Sequence, residues 1–212
     1  MRPKRIILIR HGKSQGNADE KLRETIPDYA LNLTSEGIEQ ARQAGREIRK
    51  IIGEETVQAY ISPYFRTRQT FHHIQESIKD NVVKTYEDPR IREQDWGHLR
   101  NLELNDEIQS ERDNFSTFYY RIPDGESGTD VYDRVSNFLD TLHRDFDKSD
   151  YAENTLIVTH GLTLRLFLMR WFHMSVEEYE LLRNPPNCQI VVLQKKISEH
   201  YDLISDLKKR NS

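Results

Sequence analysis

Ile6-Ile7-Leu8-Ile9-Arg10-His11-Gly12, close to the start of the chain, is the stretch on which the fold turns. A run of β-branched and leucine residues bounded by charge predicts a short buried strand. The small polar residues after it, Lys13-Ser14-Gln15-Gly16-Asn17, suit a loop leaving that strand's carboxyl end. Ligands of open α/β sheets bind outside the carboxyl ends of the strands. An arginine and a histidine at that place make an anion site that also holds a nucleophile. One such pair is no more than a charged strand terminus. A second arrangement far downstream, Leu156-Ile157-Val158-Thr159-His160-Gly161, again ends an apolar strand in His-Gly. Each glycine lets backbone approach a ligand closely. Packing alone does not account for two histidines in this same setting.

The segments between these strands alternate in type. Residues 162–172 are apolar nearly all round, broken by Thr163, Arg165 and Arg170, and predict a buried helix. Thr34 caps a predicted helix over Ser35–Ile52, with Ile38, Ala41, Ala44, Ile48 and Ile51 on one face and Gly53 as terminator. Val57–Ile61 reads as a strand, Ser62-Pro63 as a turn into a helix reaching Ile78, and residues 82–86 as a further strand. Residues 99–124 are polar, then aromatic (Phe115, Phe118, Tyr119, Tyr120), and are expected as a helical excursion forming a lid. Val131, Val135, Phe138, Leu139, Leu142 and Phe146 recur at helical spacing, and residues 190–193 form a late strand. With no repeat, low-complexity tract or linker, residues 1–212 are expected as one domain. The alternation predicts a three-layer α/β/α sandwich with a doubly wound, mainly parallel sheet.

Composition bounds the function. A net charge of −4 gives no reason to expect nucleic acid as a partner, so any positive field must be local. The single cysteine, Cys188, excludes an intrachain disulfide and is expected as a half-buried thiol at a strand edge, not a nucleophile. No apolar stretch reaches membrane-spanning length, and Met1-Arg2-Pro3-Lys4-Arg5 leads into a strand, not a signal-peptide core. A cytoplasmic protein with no membrane partner is expected, and self-association is left open.

Two more segments carry candidate chemistry. Arg66 follows the second predicted strand and offers a bidentate fork to phosphate. Glu93 follows the third. Taken together, Arg10-His11-Gly12, Leu33-Thr34 with Gly37 and Gln40-Ala41, Ser62-Pro63 with Arg66, Arg92-Glu93 with Gly97, Gly125-Glu126-Ser127, and Thr159-His160-Gly161 cover nearly the whole chain. In this order they resemble the histidine phosphatase superfamily, the phosphoglycerate-mutase-like proteins. The resemblance implies that His11 is the nucleophile that becomes phosphorylated and that Arg10, Arg66 and His160 clamp the phosphoryl group. It adds Asn17 and the Gly161 backbone as phosphate-binding groups and Glu93 as proton donor to the leaving oxygen. Lys13 departs from the pattern, standing where many relatives carry Glu; a further cation there is expected to strengthen the field at the mouth of the site.

The implied chemistry needs no cofactor and no metal. His72-His73 is the one adjacent histidine pair, but neighbours on a helix point in different directions and no cysteine or acidic cluster completes a ligand set. A phosphate monoester is a dianion, which Arg10, Arg66 and a cationic His160 are expected to offset. The attacking imidazole must be neutral, a state favoured beside arginines. The expected activity is hydrolysis of small phosphorylated metabolites through phosphohistidine. A cofactor-dependent mutase and a non-catalytic phospho-ligand or protein binder are the alternatives. Hydrolysis is preferred because residues 101–124 hold only Arg112 and Arg121 as cations, too few to grip a second anionic end of a substrate. Tyr119, Tyr120 and Arg121 are expected to line the pocket or, equally, the aromatics to pack the lid onto the sheet.

Overall fold

Ile6, Ile7, Leu8 and Ile9 are fully buried, and the strand they form, β1 (Arg5–Arg10), lies inside the sheet. The computed structural model describes residues 2–97 and 102–209. Along the chain follow α1 (Gln15–Ala18), α2 (Ser35–Ile52), β2 (Val57–Ile61), α3 (Phe65–Ile78), β3 (Val82–Glu87), α4 (Leu102–Phe115) and α5 (Gly128–Phe146). Then come β4 (Asn154–Thr159), α6 (Gly161–Phe172), α7 (Val176–Leu181), β5 (Ile190–Lys195) and β6 (Tyr201–Leu203). The strands form one sheet in the order β3-β2-β4-β1-β5-β6. The first four neighbours run parallel and β5 antiparallel to β1, so the sheet is mainly parallel, as expected.

Period-2 alternation sends β1 side chains to two cores. Ile7 and Ile9, with Ala59, Leu156 and Val158, pack under α2 and α3. Ile6 and Leu8, with Tyr60, Ile157 and Val191, pack against α5 and α6. Each such fully buried side chain contributes about 1.5–3 kcal/mol. This is the three-layer sandwich.

Local signals behave as expected. Thr34 Oγ1 accepts the Gly37 N–H at 3.0 Å at the start of α2, and Gly53 ends the helix with φ of +57°. Helix α6 is buried from Gly161 through Met169. The excursion is partly different from its expectation. Helix α4 supplies a wall of the site, but residues 98–101 lie outside the described residues. Tyr120 bonds Glu111, Arg121 pairs with Asp130, and Tyr119 is 55 % exposed; none of the three lines the cavity. Phe118 packs instead on Tyr132 and Tyr179. Among the described residues no helix is long and apolar enough to cross a membrane.

Candidate active site

The register of β1 on β4 brings the two histidines together. Arg10 lies opposite Thr159, the His11 N–H bonds the Thr159 carbonyl at 2.9 Å, and the next residue on each strand is a histidine. Their rings meet edge to face with centroids 5.2 Å apart. His11 Nδ1 lies 2.7 Å from the Gly12 carbonyl oxygen. A carbonyl can only accept, so Nδ1 carries the proton and Nε2 keeps the lone pair. Arg66 Nε donates to that Nε2 at 3.2 Å. Burial, then the charges of Arg66 and Arg10, push His11 well below its ordinary value of 6.5 and keep it neutral.

His160 is fully buried behind His11 and does not itself line the cavity. Its Nε2 lies 2.7 Å from Ser62 Oγ and its Nδ1 has no partner. With Ser62 donating to Nε2, Nδ1–H is left as a free donor. Burial, then Arg66 and His11, push its pKa far below 6.5. The cationic His160 expected from sequence is opposed by this low-dielectric setting, where burial and the neighbouring Arg66 favour the neutral ring, with Nδ1 left unpartnered.

Arg66, 4 % exposed, is held at the first turn of α3 by Asp28, whose Oδ2 accepts from Nη2 at 2.9 Å while its carbonyl accepts from Nη1. Arg10 is anchored by Nη1 to the Pro185 carbonyl at 2.8 Å, leaving Nε buried without a partner. Asn17 lines the cavity, its Oδ1 accepting from the Ser14 N–H and from Asn187, so its amide nitrogen remains to donate. Gly161 lies outside the cavity wall; a Cβ there would meet the Asn184 side chain at 2.9 Å, so the glycine makes room for Asn184, which does line it. Lys13 is also away from the wall, its ammonium tied to Glu36 at 2.7 Å, so it does not strengthen the field at the mouth.

Glu93 sits over the N-terminus of α6. Its Oε1 accepts from Thr163 Oγ1 at 3.1 Å and the Thr163 N–H at 3.3 Å, its Oε2 from the Leu162 N–H at 3.4 Å. The Gly125-Glu126-Ser127 motif holds the loop that carries it. The Glu126 carboxylate takes Arg92 and Arg134, and Arg134 donates to the carbonyls of Arg90, Arg92 and Glu93. Burial alone would push the Glu126 carboxyl up; hydrogen bonds from Arg134 and the charge of Arg92 outweigh it and hold it below its ordinary value.

These groups line a cavity of about 260 Å³ with Ser14, Arg23, Asp28, Trp96, Gln109, Arg112, Leu162, Arg165 and Asn184. Of the expected residues, Arg10, His11, Asn17, Arg66 and Glu93 are on its wall. Asp28, Ser62, Arg23, Arg112 and Arg165 were not assigned roles from sequence. Arg165 had a signal, a guanidinium inside an otherwise apolar helix; Arg23, in a charged loop, had none. The expectation for the cysteine holds: burial pushes the Cys188 thiol up to about 12, and its N–H bonds the Arg10 carbonyl at 3.0 Å. His72, His73 and Glu76 do come within reach of one another on α3, contrary to the expectation from helix geometry, with ligand atoms within 4.8 Å. Arg42 bonds the other Glu76 oxygen at 3.1 Å, which opposes a cation there.

Paired strand-end histidines in a ring of guanidinium groups define a class of phosphoryl-transfer protein. Residues 6–200 match the profile of the histidine phosphatase superfamily, branch 1, and the chain belongs to that family. It is 43 % identical to phosphoglycerate mutase-like protein AT74 of Arabidopsis thaliana, over 95 % of this chain and 68 % of that protein. It is 28 % identical to broad-range acid phosphatase DET1 of Saccharomyces cerevisiae, over 91 % and 86 % of the two chains. In fold it is similar to a mycobacterial glucosyl-3-phosphoglycerate phosphatase, with a TM-score of 0.74 at 19 % identity, over 98 % of this chain and 100 % of that one.

Proposed function

We propose that this protein hydrolyses phosphate monoesters of small metabolites through a phosphohistidine on His11, with no metal ion in the chemical step. The observation that carries the reading is the unprotonated Nε2 of His11, fixed by its Nδ1–H on Gly12 and set among Arg66, Arg10 and Glu93. In the first step Nε2 forms a bond to phosphorus as the ester P–O bond breaks. The Gly12 carbonyl stabilises the positive charge the ring gains, and the arginines hold the phosphoryl oxygens, where stabilisation counts most in phosphoryl transfer. Glu93 gives its proton to the departing alkoxide. In the second step the Glu93 carboxylate takes a proton from water as its oxygen attacks phosphorus. The P–N electrons return to Nε2, leaving inorganic phosphate and a neutral His11.

Glu93 is half-buried and on the cavity wall, where water reaches it, and the name of the yeast relative supports hydrolysis. The shortage of cations expected in residues 101–124 does not separate hydrolase from mutase, because the cavity draws Arg23 and Arg165 from other segments. Those arginines favour phosphoglycerate mutase chemistry as the competing reading. His11→Ala should abolish turnover of an aryl phosphate, and the unmutated protein should trap acid-labile, base-stable phosphate on His11, with chelator present or absent. Incubation with 3-phosphoglycerate and catalytic 2,3-bisphosphoglycerate then separates the two readings. Release of free phosphate supports hydrolysis, and isomer interconversion much faster than that release overturns it.

A further inference from the structure

Arg66 meets its surroundings along two edges, and the two have different occupants. Asp28 takes the outer edge. Its Oδ2 accepts from Nη2 at 2.9 Å, its Oδ1 from Nη1 at 3.3 Å, and its own carbonyl from the same Nη1 at 2.5 Å. A guanidinium has five N–H groups in one plane. Three of them are directed at Asp28, which leaves Nε–H and one Nη2–H, the parallel pair of the inner edge. Nε lies 3.2 Å from His11 Nε2, so that edge faces the attacking atom.

The plate is also held by its face. Arg66 Cζ lies 4.8 Å from the Tyr64 ring centroid, and Tyr64 packs edge to face on His160 with centroids 5.1 Å apart. Stacking sets the plane of a guanidinium but lets it turn within that plane. The contacts with Asp28 settle which edge points inward. Asp28 opens a short 3₁₀ turn, Asp28–Ala30, in the loop that follows α1, and its side chain is 33 % exposed against 5 % for Arg66.

As a charge, Asp28 works against the cavity it lines. A carboxylate there repels an incoming phosphate dianion and offsets part of the Arg66 charge. Fastening the loop to α3 does not call for it, because the Asp28 carbonyl already binds Nη1. What the carboxylate adds is a second, parallel contact, and two parallel contacts fix the rotation of a guanidinium where one does not. Rotation matters most while the phosphoryl group is in transfer, with its charge spread over three equatorial oxygens. A misplacement of about 1 Å costs up to ~10²-fold in rate.

We infer that Asp28 is a positioning residue for phosphoryl transfer, on the reading above that His11 Nε2 takes the phosphoryl group. It holds the outer edge of Arg66 so that the inner edge meets the equatorial oxygens, and it gives up ground-state affinity for phosphate in doing so.

The test sets inorganic phosphate, a ground-state anion, against vanadate, which takes the five-coordinate geometry of the transition state. Binding of each to the full-length protein and to its Asp28→Asn variant is measured by calorimetry, beside steady-state kcat on an aryl phosphate. Asn keeps the size and one acceptor oxygen but turns an NH₂ toward the guanidinium. In Asp28→Asn, vanadate affinity and kcat should each fall about 10–100-fold. Phosphate should bind as tightly as before, or more tightly, since the repelling charge has gone. Adding Asp28→Asn to an Arg66→Lys protein, which has no second edge to aim, should cost almost nothing further. A role confined to fastening the loop predicts equal weakening of both anions with a lower melting temperature, and that result overturns the inference. So does a full loss on top of Arg66→Lys. Should Asp28→Asn not fold, Asp28→Glu, which keeps the charge but shifts it by one methylene, should show the same split in smaller measure, and parallel weakening there is equally decisive against it. A protein that forms phosphohistidine without the split keeps the phosphatase reading and loses this one. A protein that shows the split in binding but forms no phosphohistidine loses the phosphatase reading and keeps the positioning of Arg66.

Discussion

Replacing Glu93 by Gln isolates proton donation from positioning, because the structure shows what the amide can keep. Glu93 Oε1 accepts from Thr163 Oγ1, the Thr163 N–H and, at 3.2 Å, the Gln94 N–H, and an amide oxygen placed there accepts all three. The amide nitrogen then falls opposite the Leu162 N–H, which forfeits a single hydrogen bond, a long one at 3.4 Å. A bond that weak is worth at most ~1 kcal/mol, so the variant should fold and melt close to the parent. Proton donation is abolished outright. General acid catalysis contributes about 10²–10⁴-fold, so kcat for an alkyl phosphate should fall by that factor while KM changes little. An activated aryl phosphate such as p-nitrophenyl phosphate leaves without needing a proton and should lose much less in its first step. Steady-state kinetics on both substrates, with the melting temperature of each protein, make the measurement. Equal losses for the two leaving groups in kcat/KM, which reports the first step and not the hydrolysis step that Glu93 also serves, would refute the acid role and leave Glu93 as a residue that only positions. A large drop in melting temperature would show that its hydrogen bonds at the start of α6 hold the fold together as well as the site.

Two further outcomes follow from the buried histidines. Because His11 is held well below its ordinary 6.5, it stays unprotonated as pH falls through that value. The acid limb of kcat/KM should therefore lie well below 6.5, and a limb centred near 6.5 that persists when the leaving group is changed would contradict it. Stability should respond to pH where the nucleophile does not. Below 6.5 the unfolded chain binds protons at His11 and His160 that the native chain refuses, so stability falls as pH drops through that window, by up to roughly 1.4 kcal/mol per pH unit for each histidine. Denaturant titrations between pH 7 and 5 should show this slope and a shallower one in His160→Asn; identical slopes would show that the ring is protonated in the folded protein.

What was legible in the sequence and what was not divides along a physical line. A strand end is a local event, so Arg10-His11-Gly12 and Thr159-His160-Gly161 announce their places, and the parallel register of β1 on β4 does the rest by setting two sequence neighbours of those ends side by side. The cap at Thr34, the stop at Gly53 and the alternating faces of β1 are equally local. The charge state of His160 is not, since it depends on burial and on arginines contributed from other elements, both of which oppose the cation expected there. The same holds for the cations of the cavity. Counting arginines within one insert assumes that the residues binding a substrate's far end come from one stretch of chain. In this chain the cavity arginines Arg23, Arg112 and Arg165 come from the 3₁₀ turn after α1, from α4 and from the second turn of α6, and only tertiary packing brings them to one wall. Arg165 was the exception in principle. A buried helix tolerates a guanidinium only where something meets its charge, and in this chain the protein itself supplies one carbonyl and an aromatic face but, among the described residues, no carboxylate. That deficit is a property of the folded structure and not of the helix sequence, and it is seen only once the arginines and the carboxylates can be placed in the same cavity.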